Sequence, residues 1–435
     1  MSALSPNYPF APARAPFFYG WWVVAVGALG IVMSVPGQTM GVSVFTDPLM
    51  QATGVTRLQL ANAYMIGTLV SSVLLPRGGR LLDRFGARLT AMAACVGMAL
   101  TLLLLSMVDR VAAALATTLG EHLAAMVVLS FAFLCVRFSG QGMLTVASRN
   151  MMSKWFDRRR GLATGISGTA VSFGFGVAPA ALQVAIDELS WRGAWWTMAA
   201  AAGIGMTTMA WLFYRDNPEE CGLRMDGVAA EPTHLQAAAA DEPAFTRAQA
   251  LRTGVFWAVT LSLTINAMVF TGITFHIVDI GREVGMDAST VVGIFLPIAV
   301  VSTFARLVGG WASDHVSVRP LVLIQLVAQG VCFVACGDLT DPLHAAVAVG
   351  AWGITAGLYS TLLGVAMPNL FGRTHLGAIA GVQMSCMVAG SAAGPAALAM
   401  AKASLGSYAE GLLWCCAMTV VCFAFTALTR VPSRR

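Results

Sequence analysis

The sequence predicts an all-α membrane protein with twelve transmembrane helices in two six-helix, pseudo-symmetric bundles. Three observations carry this. Of 435 residues, 57% are apolar and only 11% charged, against about 25% charged in an ordinary soluble domain. Apolar stretches near the ~20 residues that a helix needs to cross a hydrocarbon core recur twelve times. The first six stretches also resemble the last six in the spacing of Gly, Pro and Asp.

The segment 1–19 is rich in Pro and Ala and carries Arg14 as its one charge. It lacks the compact apolar core and small-residue cleavage site of a signal peptide, and reads as a cytoplasmic tail. Spans follow at 20–45, 58–76, 89–108, 123–147, 161–186 and 192–213, the N-terminal bundle (20–213). The longest polar stretch, 214–254, contains Arg215, Asp216, Glu219, Glu220 and Arg224 and reads as a cytoplasmic central loop. Within it, Ala244 to Thr253 suits a short amphipathic helix with Arg247 and Arg252 outward. Spans at 255–279, 289–311, 319–337, 343–366, 377–401 and 408–429 make the C-terminal bundle (255–429), and 430–435 is a second cytoplasmic tail.

The basic residues give this map a direction. With the N-terminus inside, nineteen of the 26 Lys and Arg fall on cytoplasmic segments. They cluster at Arg77, Arg80, Arg84 and Arg88 and again at Arg149, Lys154, Arg158, Arg159 and Arg160. Five fall outside: Arg57, Arg110, Arg192, Arg282 and Lys402. The net charge of +5 thereby reflects topology, not a nucleic-acid partner. The expected location is the plasma membrane, a bacterial inner membrane, with both termini cytoplasmic and the chain a monomer. The nine Cys form no disulfide framework and no metal spacing with His. Cys332 and Cys336 share a helical face as small apolar packing residues. No Ser/His/Asp set, metal cluster or phosphate loop argues for an enzyme, and no cofactor is implied.

The repeat is explicit. At a shift of 216 residues, Gly161 falls on Gly377, Gly165 on Gly381, and Pro179 through Leu182 on Pro395 through Leu398. At a shift of 231, Gly41 falls on Gly272, Gly54 on Gly285, Gly79 on Gly310 and Asp83 on Asp314. The difference is absorbed in the 3–4 loop (109–122).

Between the second and third spans the chain reads Gly79-Arg80-Leu81-Leu82-Asp83-Arg84-Phe85-Gly86-Ala87-Arg88. This resembles the major facilitator signature G-x-x-x-D-R-x-G-x-[RK], and parallel six-span repeats follow the same logic. The resemblance implies a secondary transporter whose acid and basic partners latch two states. The second half keeps Gly310 and Asp314, with His315 in place of the Arg. Further on, Trp155-Phe156-Asp157-Arg158-Arg159-Arg160-Gly161 and Tyr19-Gly20-Trp21-Trp22 resemble the oxalate:formate antiporter and monocarboxylate transporter branch. The expected partners are then a small organic anion, a proton or counter-anion, and the lipid bilayer, with transport by symport or antiport.

Ionisable residues inside spans carry the site hypothesis. Arg306, in the eighth span, matches the Arg that binds the substrate carboxylate in monocarboxylate transporters. A guanidinium pairs bidentately with a carboxylate. The alternative is a residue that snorkels to the surface. The acid accompanying this Arg in animal relatives falls on Ser302, their first-span Lys has no counterpart, and the eleventh-helix Lys of the oxalate antiporter is missing. Arg137, in Arg137-Phe138-Ser139-Gly140-Gln141-Gly142, resembles the R-x-x-Q-G pattern of proton-coupled drug antiporters displaced by one residue. It could bind an anion, tune proton coupling or pair with a helix carbonyl. No Asp or Glu lies near a span centre, so His276 is the titratable candidate for proton coupling, against a satisfied interfacial His. Pro36-Gly37-Gln38-Thr39 breaks the first span. Gln38, Asn266, Thr271, Tyr359 and Gln383 are polar candidates for substrate contact or for bonds across helices. The expected function is transport of a small organic anion, a monocarboxylate, by alternating access. The alternative is proton-coupled efflux of drugs or other amphiphiles.

Overall fold

A computed structural model describes residues 5–227, 245–286, 293–337, 339 and 342–429. The expectations for the loop part 228–244, the start of the eighth span (289–292) and the tail 430–435 lie outside the described residues. Nine continuous helices among the described residues are long and apolar enough to cross a membrane. Two of them divide at residues of positive φ, Gly86 (φ 76°) and Ser190 (φ 68°), and the shorter Gly20–Val32 adds one more. The twelve are α1 (Gly20–Val32), α2 (57–85), α3 (87–106), α4 (Glu121–Trp155), α5 (160–189), α6 (191–213), α7 (Gly254–Glu283), α8 (Phe295–Ser313), α9 (Val318–Ala335), α10 (Pro342–Phe371), α11 (Leu376–Leu405) and α12 (Tyr408–Leu428).

Several helices run beyond the predicted spans. α2 continues through the expected 2–3 loop and stops only at Gly86, whose φ suits glycine. The expected 3–4 loop is largely a helix, Val108–Leu119. Helical backbone satisfies its own hydrogen bonds, so nothing requires it to stop where the apolar run stops. The first span is shorter than expected. It breaks at Val35–Gly37 and resumes as Thr39–Ser43 and Thr46–Thr53. Pro36 lacks the amide that would continue the ladder. Gly37 sits against α4 so closely that a Cβ would lie 2.5 Å from the Val136 carbonyl oxygen. The predicted surface helix is present as Arg247–Leu251, opened by a capping box between Thr246 and Gln249.

The chain packs as two compact units. The first holds 1–157, 170–241 and 376–385; the second holds 158–169, 242–375 and 386–435. Each therefore includes the opening turns of a helix from the other sequence half: α11 in the first, α5 in the second. Within the first unit the N-terminal tail is held by two buried arginines. Arg88 donates to the carbonyls of Ser5 (3.0 Å), Tyr8 (2.9 Å) and Trp211, and Arg215 donates to those of Pro6 (2.5 Å) and Tyr8 (3.0 Å). Burial lowers the pKa of Arg215. The Pro6 and Tyr8 carbonyls lie in a tail without a regular ladder, where guanidinium donors satisfy them; the Ser5 carbonyl also accepts from the Tyr8 amide (3.0 Å).

In the second unit a polar ladder joins α7, α9 and α12. Ser262 donates to Gln325 (2.8 Å), Asn266 to Gln329 (3.2 Å), and Gln329 to Thr419 (3.0 Å). Spacings of four residues on α7 and α9 bring both rungs onto one face. Such pairs act as glue where lipid offers no polar alternative. Gln329→Ala leaves the Asn266 amide without its acceptor and should lower stability by about 1–3 kcal/mol. An Asn266→Leu/Gln329→Leu double variant should cost less than that single variant. Thermal unfolding of the purified protein in detergent measures both.

Candidate functional site

The signature residues build a clasp that occurs twice. In the first unit, both carboxylate oxygens of Asp83 accept backbone amides at the start of α11, from Gly377 (2.6 Å) and Ala378 (2.7 Å). In the second, Asp314 accepts from Gly161 (2.6 Å) and Leu162 (3.1 Å) at the start of α5. The first amides of a helix lack intrahelical acceptors and carry the positive end of the dipole. A carboxylate there satisfies two donors and faces favourable partial charge. The acid reaches the helix end because glycines let the backbones meet. A Cβ on Gly79 would collide with the Gly377 carbonyl oxygen, and one on Gly377 would lie 2.6 Å from that of Gly79. Gly310 and Gly161 make the same reciprocal approach, with a Cβ on Gly310 2.5 Å from the Gly161 carbonyl oxygen. Burial raises the Asp314 carboxyl above the usual aspartate range, despite the two amides and nearby His315 and Arg160.

The remaining motif residues separate. Gly86 makes the positive-φ turn into α3, where Asp216 accepts from the Ala87 amide (3.0 Å) and from Lys154 (2.9 Å). Arg88 turns to the N-terminal tail. Arg84 is exposed, its guanidinium 5.3 Å from the centre of the Phe85 ring.

Arg306 is buried, 5% exposed, and does not snorkel. Its Nη1 donates to the Gly168 carbonyl of α5 at 2.7 Å, within the second unit, while its Nε finds no partner among the described residues. Gly168 makes room: a Cβ there would lie 2.7 Å from the Arg306 side chain. Tyr359 lies half-buried on α10. Ser302, one turn before Arg306, donates to its own helix at the Ala299 carbonyl (3.0 Å).

Arg137, in the first unit, takes the helix-carbonyl option. It is 2% exposed and donates to the Gly37 carbonyl (3.1 Å) and to Thr39 (3.5 Å), with its guanidinium 5.2 Å from the centre of the Tyr64 ring. It opens an eight-residue π-helical segment, Arg137–Leu144, a widened turn common at functional sites. Gln38 donates to Ser34 (3.0 Å) and Tyr64 to Thr39 (2.9 Å), so the broken end of α1 is pinned from α2 and α4. Gln383 is buried on α11, its amide nitrogen without a partner among the described residues.

Asn266 is engaged in the ladder described above, and Thr271 bonds Ser391 (3.0 Å). His276 is doubly satisfied in the second unit, with Nε2 3.0 Å from the Pro395 carbonyl and Nδ1 3.2 Å from the Tyr408 hydroxyl. The carbonyl can only accept, so Nε2 donates to it, while the hydroxyl can serve as donor or acceptor to Nδ1. Two turns further along α7, Glu283 pairs with Lys402 (3.0 Å). Sequence reasoning did not single out Tyr64, Gln329 or Gly168. The Gln329 signal, a polar residue in an apolar run, was the one that marked Asn266. Gly168 offers a carbonyl, which every residue has, so no sequence signal marks it.

The model of the Major Facilitator Superfamily matches residues 13–395. Monocarboxylate transporter 11 of Mus musculus is 26% identical over 416 residues, covering 91% of this chain and 84% of that protein. Monocarboxylate transporter 13 of Bos taurus is 26% identical over 360 residues, covering 81% and 76%. The oxalate:formate antiporter of Oxalobacter formigenes is 22% identical over 351 residues, covering 78% and 75%. Among solved structures, a proton:xylose symporter superposes with a TM-score of 0.68 at 14% identity, covering 95% of this chain and 96% of that one. The human organic anion transporter MFSD10 gives 0.63 at 16%, covering 95% and 100%.

Asp83→Asn and Asp314→Asn each remove a charge and one of two acceptors from a helix end, a loss of about 1–2 kcal/mol. Each should speed amide hydrogen exchange locally, at 377–379 in the first case and 161–163 in the second. Mass-spectrometric exchange on the purified protein reads this directly.

Proposed function

Since this chain belongs to the major facilitator superfamily and is a membrane transporter, we propose that its cargo is a small organic anion, a monocarboxylate, moved by alternating access. The observation that carries this reading is Arg306. Its charge is buried, its hydrogen bond to Gly168 goes to a neutral carbonyl, and its Nε donor is unpaired among the described residues. A buried cation held only by neutral groups is costly unless an anion joins it. A carboxylate would supply the charge and accept two parallel N–H bonds. The position also matches the carboxylate-binding Arg that the monocarboxylate branch places on this helix, and relatives from that branch align over most of the chain.

Tyr359 is proposed as a second substrate contact in the same unit. In the first unit Gln38, Arg137 and Gln383 are the candidates, with Arg137 acting mainly by holding the broken end of α1. Asn266, bonded to Gln329, is a weaker candidate. His276 is proposed as the proton-coupling group, because imidazole changes charge near neutral pH. The Asp83 and Asp314 clasps are proposed as the latch of the transport cycle, and the chain as a plasma-membrane protein with both termini cytoplasmic.

Purified protein should gain thermal stability from one of lactate, pyruvate or formate, since a ligand that binds the folded state stabilises it. Arg306→Ala should abolish that gain and lower uptake of the same acid into proteoliposomes by about 100-fold, the scale of a lost buried charge pair. Normal transport of the acid by Arg306→Ala would remove Arg306 from the site. His276→Gln should flatten the dependence of uptake on pH if this imidazole carries the coupled proton.

A further inference from the structure

The basic end of α2 carries part of the charge asymmetry that orients the chain, and its geometry points to a more specific use than orientation. We propose that it binds the headgroup of an anionic phospholipid. Arg77, Arg80 and Arg84 are all exposed and fall within one arc of the helix, three and four residues apart. Among the described residues they form no ion pair, and the Arg84 guanidinium lies over the Phe85 ring. No acid shares the arc. Asp83 lies on the adjoining face, turned to the amides of Gly377 and Ala378.

The same arc is apolar nearer the start of the helix. Ile66 is 45% exposed and Val73 64%, and Leu81 and Phe85, each 49% exposed, alternate with the arginines. From 58 to 76 the helix carries no charge for ~28 Å at 1.5 Å per residue, close to the ~30 Å of a hydrocarbon core. The three arginines therefore begin where that core ends. An exposed apolar stripe passing into arginine at that depth matches a lipid molecule: acyl chains along Ile66 to Val73, phosphate at the guanidiniums, and the interfacial region at Leu81 and Phe85. Arginine suits phosphate because its planar fork donates two parallel bonds. A soluble protein partner would leave the apolar half of the stripe unexplained. The bound headgroup and the α11 clasp would share the last turns of α2, so lipid composition would bear on the clasp.

The test uses the full chain in phosphatidylcholine nanodiscs doped with phosphatidylglycerol that carries a photoreactive group at the head of one acyl chain. A matched photoreactive phosphatidylcholine is the control. Labelling of the segment 70–88 should be at least about fivefold stronger with phosphatidylglycerol, and should weaken as sodium chloride is raised. An Arg77→Ala/Arg80→Ala/Arg84→Ala variant should fall to the phosphatidylcholine level, while the corresponding triple Lys variant retains most of the labelling. Equal labelling by the two lipids, indifference to salt, or full labelling of the triple Ala variant would overturn the proposal. So would displacement of the label by millimolar inorganic phosphate, which would indicate a site for free anions.

Discussion

The fold depends on a problem that every helix has and that a membrane protein has acutely: the first amides of a helix have nothing to donate to. At α5 and α11 the chain solves it with an aspartate from another helix. The solution needs three parts together. The helix end must be free of side-chain bulk, the supplying helix must come close, and the acid must sit one turn beyond the point of contact. Gly161 with Gly310 and Asp314, and Gly377 with Gly79 and Asp83, meet all three conditions. Replacing any one glycine would push the backbones apart and take the acid out of reach. The two clasps draw the openings of α5 and α11 into units otherwise built from the other half of the sequence.

The buried arginines answer a different constraint. Arg137 and Arg306 both donate to carbonyls, but their surroundings are unlike. Arg137 bonds the backbone at the break in α1 and lies against an aromatic ring, so removing it would unpin the end of a helix. Arg306 holds a carbonyl in the third turn of α5, where the helix needs no outside donor. Arg137 has a structural use on this geometry; for Arg306 the structural return is small beside the cost of burying its charge.

Much of this was legible in the sequence. Hydropathy located all twelve helices, because spanning length is a hard limit. The repeat at 216 and 231 residues had already aligned Gly161 with Gly377 and Asp83 with Asp314, which are the members of the two clasps. What could not be read was the cross-pairing, in which Asp83 serves Gly377 and Asp314 serves Gly161. Backbone amides are the donors, and they leave no mark in a sequence. Helix ends were misplaced for a related reason. Polarity ended the predicted spans near residue 76 and residue 108, whereas helical hydrogen bonding carried the chain on to 85 and through Val108–Leu119. Among the candidate residues, a side chain's type did not separate Asn266, facing α9, from Arg306, facing a carbonyl of α5, because periodicity gives a face and not the neighbour on it.

The acceptors of the clasps are side chains, but their donors are main chain, and this limits how the protein can vary. A salt bridge can be inverted by exchanging its two charges, so lineages can drift through the swap. No exchange inverts an aspartate on a helix N-terminus, since the peptide amide and the direction of the dipole are the same whatever residue stands there. Divergence at Asp83 or Asp314 therefore has no compensating route on the opposite helix. Second-site suppressors of a lost aspartate should arise beside it on α2 or α8, or as changes that remove the need for the clasp altogether.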